Sequence, residues 1–436
     1  MQESIWEHTA LPSYAPLRGD IKTDVLVIGG GLTGILCART LTDAGVDCVL
    51  VEAERLCSGV TGRTTAKITA QHGLVYDTLL QRFGVERTKM YLTAQQEALR
   101  QYRRMCRNVD CDFEERDSLV YSRNGKERLE RELAALERLG AKVDYVNYMP
   151  LPFPTAGAVR FRHQAQFHPL KFAAGILDGL KIYEKTPVRE LAGRTAVTPH
   201  GRIRAEKIIV ATHFPFLNKH GSYFLKLYQH RSYVLALEGA ADVRGMYVDE
   251  ADTGLSFRSS RGFLLLGGGG HRAGKQGGGW AELEAFAAER YPTARAVCRW
   301  ATQDCMSLDD VPYIGRYSAR TPNLYVATGF NKWGITSAMV SALILRDLVR
   351  GRENPYAEVF SPSRSILRPQ LLINAAESTL HLVKPTRPRC PHLGCALTWN
   401  AQEHSWDCPC HGSRFGADGR LLNNPATGGL RRRDKP

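Results

Sequence analysis

The hydrophobic pattern near the N-terminus predicts a β-α-β unit. Residues 24–28 form a short, β-branched apolar run that is typical of a buried parallel strand. Residues 29–34 are rich in glycine, and apolar positions then recur at helical spacing as far as Gly45, a residue typical of a helix C-terminus. A second apolar run, residues 46–51, ends at Glu52. Strand, helix and strand in this order predict a doubly wound α/β fold.

Further along the chain the pattern changes several times. Residues 86–140 are predicted to be largely helical, and residues 141–330 to mix short strands with turns. Two further strands are predicted at 208–212 and 324–329, the second leading into an apolar helix over 335–349. Residues 361–389 carry prolines and polar residues, which favour a linker with at most one short strand.

The glycine-rich turn fits the dinucleotide fingerprint G-x-G-x-x-G. Gly29 permits a tight turn, Gly31 allows a pyrophosphate close to the backbone, and Gly34 allows close contact between helix and strand. Glu52 follows 18 residues after Gly34, where a carboxylate can bind ribose hydroxyls. The fingerprint itself is compatible with FAD or NAD, and its position near the N-terminus favours FAD. Residues 267–274 are also glycine-rich, but no amphipathic helix and second strand follow them in register, so we reject a second fingerprint.

Composition and charge narrow the class of protein. The chain has 436 residues, of which 43% are apolar and 23% charged, as in an ordinary globular protein. No apolar run reaches the roughly 18 residues needed to span a bilayer, and the N-terminus lacks a signal pattern, so we expect a cytoplasmic protein without a membrane span. The net charge of +14 suits an acidic partner. The three arginines at 431–433 are too little to indicate nucleic-acid binding.

The cysteines are clustered near the C-terminus. Of eleven cysteines, four lie within 21 residues, at positions 390, 395, 408 and 410. Cys390 and His392, then Cys408 and His411, form the pattern C-x-H and C-x-x-H, with fifteen residues between the pairs. Two thiolates on one iron and two imidazoles on the other form a Rieske [2Fe–2S] cluster. Zinc is the rival metal, but its usual ligand spacing differs from this one.

These motifs together resemble the D-amino-acid oxidase/glycine oxidase (DAO) family of flavoproteins, in the branch that carries a C-terminal Rieske domain. The likeness rests on the fingerprint and on residues 4–6, 61–73, 167–169, 211–212, 309–315 and 329–335. It implies an α/β fold in which a doubly wound FAD lobe is interleaved with an α+β substrate lobe, followed by a small all-β Rieske domain. We expect an arm over 1–20, the flavoprotein over 21–360, a linker over 361–380 and an abbreviated Rieske domain over 381–436.

The resemblance also implies which residues bind the cofactors. For FAD they lie in the fingerprint, after the second strand, in the following loop and at later strand ends: Gly29, Gly31, Leu32, Thr33, Gly34, Glu52, Ala53, Arg55, Thr61, Gly62, Thr64, Thr65, Ala66, Lys67, Val188, Ala211, Thr212, Gly315, Gly329, Asn331, Lys332, Trp333, Gly334 and Ile335. For the cluster, it implies a disulfide between Cys395 and Cys410 and a hydrogen bond from Ser413 that raises the potential.

For the substrate, the resemblance points to Lys332. Related enzymes hold an arginine there that grips a substrate carboxylate, and lysine keeps the charge but loses the bidentate geometry. Arg258 and His271 are further candidates, and no general base is expected because hydride transfer from an amine to flavin depends on positioning. The segment that precedes the first cluster ligand is short for a Rieske domain, so we expect this domain to bury part of its surface against the flavin lobes.

The function implied is oxidation of a C–N bond in a small amine or amino acid by FAD. Electrons would pass from flavin to cluster and on to an external acceptor, either an acidic, ferredoxin-like carrier or a quinone. Two alternatives remain at this stage: a reductase running in the opposite direction, and a non-catalytic redox sensor. A Rieske oxygenase is disfavoured, since the chain shows no suitably spaced pair of histidines with a carboxylate.

Overall fold

The strands of the protein form three sheets. The computed structural model describes residues 3–217 and 220–430. Within them the strands are β1 Ile21–Ile28, β2 Cys48–Val51, β3 Lys67–Ile68, β4 Glu114–Ser122, β5 Asp144–Val146, β6 Gly157–Gln166, β7 Lys181–Tyr183, β8 Glu190–Ala192, β9 Thr195–Thr198, β10 Gly201–Val210, β11 Tyr228–Glu238, β12 Met246–Asp249, β13 Ser256–Ser260, β14 Phe263–Arg272, β15 Arg295–Met306, β16 Tyr313–Arg316, β17 Leu324–Thr328, β18 Thr398–Asn400, β19 Ser405–Asp407, β20 Arg414–Gly416 and β21 Leu421–Asn423. The helices are α1 Leu32–Asp43, α2 Tyr76–Cys106, α3 Glu127–Arg138, α4 Pro169–Gly175, α5 Tyr223–Lys226, α6 Gly279–Arg290, α7 Gly334–Val349, α8 Ala357–Phe360 and α9 Pro369–Val383.

The first sheet holds the predicted β-α-β unit. Its strand order is β16-β17-β10-β1-β2-β7, with β9 paired to β10 and β8 to β9. Strands β17, β10, β1, β2 and β7 run parallel. Helices α1 and α7 pack together against this sheet, and Leu36, Leu41 and Leu345 are fully buried in the shared core. The predicted doubly wound α/β lobe is confirmed.

The second sheet has the order β15-β11-β14-β13-β12-β4-β6-β3, with β5 on β6. Its pairs are antiparallel except for β12 beside β4. Strands of this sheet alternate along the chain with strands of the first one, so the two lobes are interleaved as expected.

Two stretches differ from the sequence predictions. Strand β4 interrupts the region 86–140, which we expected to be largely helical, because it pairs along most of its length with β6. Helix α9 occupies most of the stretch predicted as a linker with at most one short strand, and that expectation is wrong.

The C-terminal region forms a small sheet of its own. Strands β18 to β21 are antiparallel neighbours in chain order. Each of them has only three residues. This confirms the small all-β region, while the domain limits given above stay a prediction.

Candidate functional site

The glycine fingerprint forms the tight turn between β1 and α1. Gly29 has φ +113°, and a Cβ there would lie 2.5 Å from the carbonyl oxygen of Ala211 at the end of β10. A Cβ on Gly34 would lie 1.9 Å from the carbonyl oxygen of Gly29. Leu32 and Thr33 fill the first, buried turn of α1, which begins after Gly31. The tight turn can therefore form only with glycine at positions 29 and 34, and it presents the N-terminus of α1, where phosphates of a dinucleotide bind.

Three neighbouring strands end beside this turn. Glu52 follows β2, and its carboxylate accepts hydrogen bonds from the backbone N–H of Gly30 (2.6 Å) and of Glu54 (2.8 Å). Burial raises the pKa of Glu52. Thr212 follows β10, and the loop 329–333 follows β17. Ligands of open α/β sheets bind at the carboxyl ends of the strands, so these residues fit a dinucleotide site.

The loop 61–67 is held by donors from distant parts of the chain. The carbonyl of Gly62 accepts from Ser4 Oγ (2.5 Å), and that of Thr64 accepts from Trp6 Nε1 (2.8 Å). The carbonyl of Thr65 accepts from the Arg258 guanidinium. Thr61 Oγ1 accepts from the backbone N–H of Leu32 (3.0 Å), which ties the loop to α1. The arm thus shapes the expected FAD loop, a role that the sequence analysis missed.

The loop between β17 and α7 is fixed in a similar way. The side-chain oxygen of Asn331 accepts from the backbone N–H of Ser307 (2.7 Å), and its amide donates to the carbonyl of Gly329 (3.0 Å). Trp333 stacks on the buried His72 ring, with centroids 5.0 Å apart and planes 10° from parallel. Helix α7 begins at Gly334 and Ile335, so its positive end faces the loop.

The remaining expected FAD residues lie further out. Val188 is buried in the core beside β1 and β2. Gly315 lies in β16 against Pro362. Ala53 is exposed, and Arg55 donates to Ser13 Oγ (2.5 Å) in the arm.

Two cations lie together where the loop meets the second sheet. Arg258 is fully buried in β13, and its Nε and one Nη have no hydrogen-bond partner among the described residues. Lys67 Nζ donates to Thr65 Oγ1 (3.2 Å). Burial, and after it the charge of Arg258, lowers the pKa of Lys67 to about 7, and burial lowers that of Arg258 to about 9. Two neighbouring cations whose charged forms are destabilised by burial are suited to bind an anionic group of a cofactor or a substrate.

The other two predicted substrate residues, Lys332 and His271, both lie near His230. Lys332 is exposed, with Nζ 3.3 Å from the carbonyl of Asp252. His271 Nε2 shares a hydrogen bond with Tyr233 Oη (3.0 Å). Burial, followed by the charges of Lys332 and His271, lowers the pKa of His230 to about 3. Sequence reasoning missed His230, which no local motif marks.

The cluster motif folds into two facing loops. The sulfur atoms of Cys395, Cys408 and Cys410 lie within 4.8 Å of one another, and the rings of His392 and His411 have centroids 5.0 Å apart. Hydrogen bonds from neighbouring thiols, above all that of Cys390, hold the pKa of Cys408 well below its usual value. A thiolate is the form that binds iron.

Further contacts in these loops agree with a bound cluster. His411 is 2% exposed, and neither ring nitrogen has a hydrogen-bond partner among the described residues, so a ring nitrogen is available to bind iron. Ser413 Oγ accepts from the backbone N–H of Ala426 (3.0 Å). Cys395 and Cys410 are free thiols here, and their disulfide stays a prediction.

The histidine side of the motif faces the flavoprotein lobes. The Phe214 ring lies 6.1 Å from the His411 ring and 6.4 Å from the His392 ring, centroid to centroid. Asn424 donates to the carbonyls of Thr212 (2.6 Å) and Phe214 (2.9 Å), which follow β10. Gln303 of β15 donates to the carbonyl of Gly412 (2.7 Å). One short segment, 212–214, therefore touches both expected cofactor sites.

A buried ionic network fastens the small sheet to the second sheet. Glu403 pairs with Arg231 of β11 and with Arg414 of β20, and Arg414 also binds Asp407 (2.9 Å). Burial alone would raise the pKa of Glu403, but the two guanidinium groups outweigh it and hold that pKa below its usual value. The small C-terminal sheet is therefore fastened to the flavoprotein lobes, as expected from the short segment that precedes its first cluster ligand.

Comparisons with known proteins agree with both sites. The family model for FAD dependent oxidoreductases (DAO) matches residues 24–348, and that for the Rieske [2Fe-2S] domain matches residues 366–432. YhfW of Bacillus subtilis (strain 168), named as a Rieske 2Fe-2S iron-sulfur protein, is 34% identical over 99% of this chain and 97% of its own. The gamma-glutamylputrescine oxidoreductase of Escherichia coli (strain K12) is 24% identical over 78% of this chain and 87% of its own.

A solved structure shows the same fold. Glycine oxidase from Geobacillus kaustophilus superposes with a TM-score of 0.67 at 19% identity, over 79% of this chain and 99% of its own. No helix among the described residues is long and apolar enough to cross a bilayer. The chain is thus a member of the DAO family of FAD-dependent oxidoreductases, with FAD as its flavin and a C-terminal Rieske domain for a [2Fe–2S] cluster.

Proposed function

We propose that the protein oxidises a C–N bond of a small amine or amino acid and sends the electrons from FAD through the Rieske cluster to an external carrier. The proposal rests on the position of the cluster histidines, which face the flavoprotein lobes at Phe214. Phe214 follows Thr212, whose strand ends beside the glycine turn. A cluster serving a distant partner alone would have no reason to bury its histidines against this segment.

The two cofactors divide the chemistry. When bound, FAD would supply the hydride acceptor for the carbon next to the substrate nitrogen, and the cluster would supply a carrier that passes the two electrons on singly. The C–H bond breaks, a C=N bond forms, and the proton on nitrogen leaves to solvent. The chain itself binds and orients the substrate, excludes water and fixes the distance between the two sites.

Named residues have separate roles in this proposal. Lys67 and Arg258 stabilise negative charge where the loop 61–67 meets the second sheet. Lys332 binds a substrate carboxylate by charge, without the two-point grip of arginine. Asn331, which is buried and hydrogen-bonded at both ends, holds the loop that carries Lys332.

The gamma-glutamylputrescine oxidoreductase and the glycine oxidase above suggest the first compounds to try. The holoenzyme is mixed without oxygen with glycine, gamma-glutamylputrescine and a panel of amino acids and amines. We expect one of them to bleach the flavin absorbance with no added donor. If none does so, while a reduced ferredoxin bleaches the flavin through the cluster, electrons run in the opposite direction and the proposal is wrong.

The carrier and the location complete the proposal. An acidic, ferredoxin-like protein or a quinone accepts the electrons, consistent with the net charge of +14. We propose the cytoplasm as the place where this exchange of electrons occurs.

A further inference from the structure

Helix α9 exposes an unusual amount of apolar side chain. The described residues leave ten large hydrophobic side chains exposed, and six of them lie between positions 367 and 383. Leu367 is 80% exposed, Leu372 73% and Val383 71%, values normally seen for charged residues. A contiguous apolar surface of this kind marks an interaction site.

The opposite face of the helix is fixed to the protein. Asn374 is buried and donates to the carbonyl of Leu225 (3.3 Å), and Glu377 pairs with Lys275 (2.6 Å). His381 is buried, and its carbonyl accepts from the backbone N–H of Ala396 (2.8 Å). Since these positions recur at three and four residues, they define one stripe of the helix, and Leu372, Leu380 and Val383 lie on the opposite side.

The charged residues around the exposed face of α9 are mostly basic. Residues 361–400 contain five lysines and arginines and a single acidic residue, Glu377. That carboxylate lies on the inner face, where Lys275 neutralises it. Lys384 is exposed directly after the end of α9. The Arg364 side chain is only 10% exposed and pairs with Asp309 (2.7 Å), so it does not count toward this charge. The other four cations make the surroundings of the apolar stripe cationic, and the chain as a whole carries +14.

An apolar stripe with basic flanks has the chemistry of a segment that lies on an anionic bilayer. We propose that the outer face of α9 binds the surface of a membrane containing anionic lipid, with Leu372, Leu380 and Val383 entering the headgroup region and Lys384 facing lipid phosphates. A globular acidic partner would not require so many exposed aliphatic side chains. The proposal is independent of the substrate and of the direction of electron flow.

The position of α9 gives the attachment a consequence for the cluster. Arg389 donates to the carbonyls of Leu382 (3.0 Å) and Gly394 (2.8 Å), which ties the end of the helix to the first ligand loop. Leu393, 39% exposed, follows directly after His392 in that loop. A membrane bound at α9 would therefore lie beside the cluster domain.

The test is flotation of the holoenzyme with lipid vesicles. We expect it to float with vesicles of phosphatidylglycerol and phosphatidylcholine, to float less with phosphatidylcholine alone, and to be released by high salt. The double variant Leu372→Glu/Val383→Glu should lose at least about ten-fold in vesicle affinity, because two aliphatic side chains that would enter the headgroup region are replaced by charges. Lys384→Glu should weaken binding to the anionic vesicles specifically.

Tyr148→Glu is the matched control, because Tyr148 is 83% exposed and lies outside the 361–400 segment. This control should bind like the wild type, and the flavin and cluster absorbance of every variant should be unchanged. The proposal is overturned if the wild type ignores anionic vesicles, or if the double variant still binds them. It is also overturned if light scattering shows a dimer that the double variant dissociates, since a second copy would then cover the helix.

Discussion

The substitution Glu403→Gln tests whether the cluster domain depends on the flavoprotein lobes. The Glu403 side chain is 9% exposed and lies between those of Arg231, 3% exposed, and Arg414, 6% exposed. In the variant Arg414 keeps Asp407, but Arg231 loses its carboxylate. Removing one partner of a buried ion pair costs about 3–5 kcal/mol, because the other charge stays buried and uncompensated.

The measurement is thermal unfolding of the holoenzyme followed by two probes, visible circular dichroism for the cluster and fluorescence for the flavin. The wild type should show coincident transitions, whereas in Glu403→Gln the cluster transition should move well below that of the flavin. The control is Glu284→Gln, whose ion pair with Arg299 is 46% and 39% exposed and is therefore worth about 0–1 kcal/mol. If Glu403→Gln shifts no further than this control and its two transitions stay together, the network does not hold the domain.

Four further results are expected. Gly34→Ala should abolish FAD retention on purification, since its Cβ would lie 1.9 Å from the carbonyl oxygen of Gly29, whereas Gly428→Ala, with nothing within 4 Å, should retain both cofactors. His411→Cys should lower the cluster potential in a redox titration, toward the roughly −400 mV of all-cysteine clusters, and an unchanged potential would refute its assignment as a ligand. Asn424→Ala should slow flavin-to-cluster electron transfer in stopped-flow absorbance while leaving substrate reduction of the flavin intact, because it removes two hydrogen bonds to 212–214. In the folded apoprotein the pKa of Lys67 is lowered to about 7, so between pH 7 and about 10 the unfolded chain binds more protons than the folded one. The free energy of unfolding should therefore rise with pH over this range, and Lys67→Met should flatten that rise in denaturant titrations at pH 7 and 9.

The sequence predicted those parts of the site whose chemistry is local. Gly29, Gly31 and Gly34 are recognisable because a tight turn between strand and helix excludes other side chains at those positions. The expected ligands Cys390, His392, Cys408 and His411 stand out in the sequence because two short loops must each present one thiolate and one imidazole.

Long-range and inverted features escaped prediction. The pairing of Arg231 with Glu403 joins residues 172 positions apart, and no local pattern connects them. Helix α9 was missed because its buried stripe carries Asn374, Glu377 and His381 while its aliphatic residues face outward, the reverse of the pattern that marks a packed helix. Prolines at 369, 385 and 388 added to the appearance of a linker.

Light-driven reduction of the flavin tests most directly whether electrons pass between the two cofactors of one chain. The holoenzyme is illuminated in the flavin band with EDTA under anaerobic conditions, so the first electrons enter at the flavin, and the cluster is followed by electron paramagnetic resonance. The cluster signal should appear before the flavin is fully bleached, and Asn424→Ala should delay it. A flavin that bleaches completely while the cluster stays oxidised, although dithionite can reduce that cluster, would contradict the proposed route.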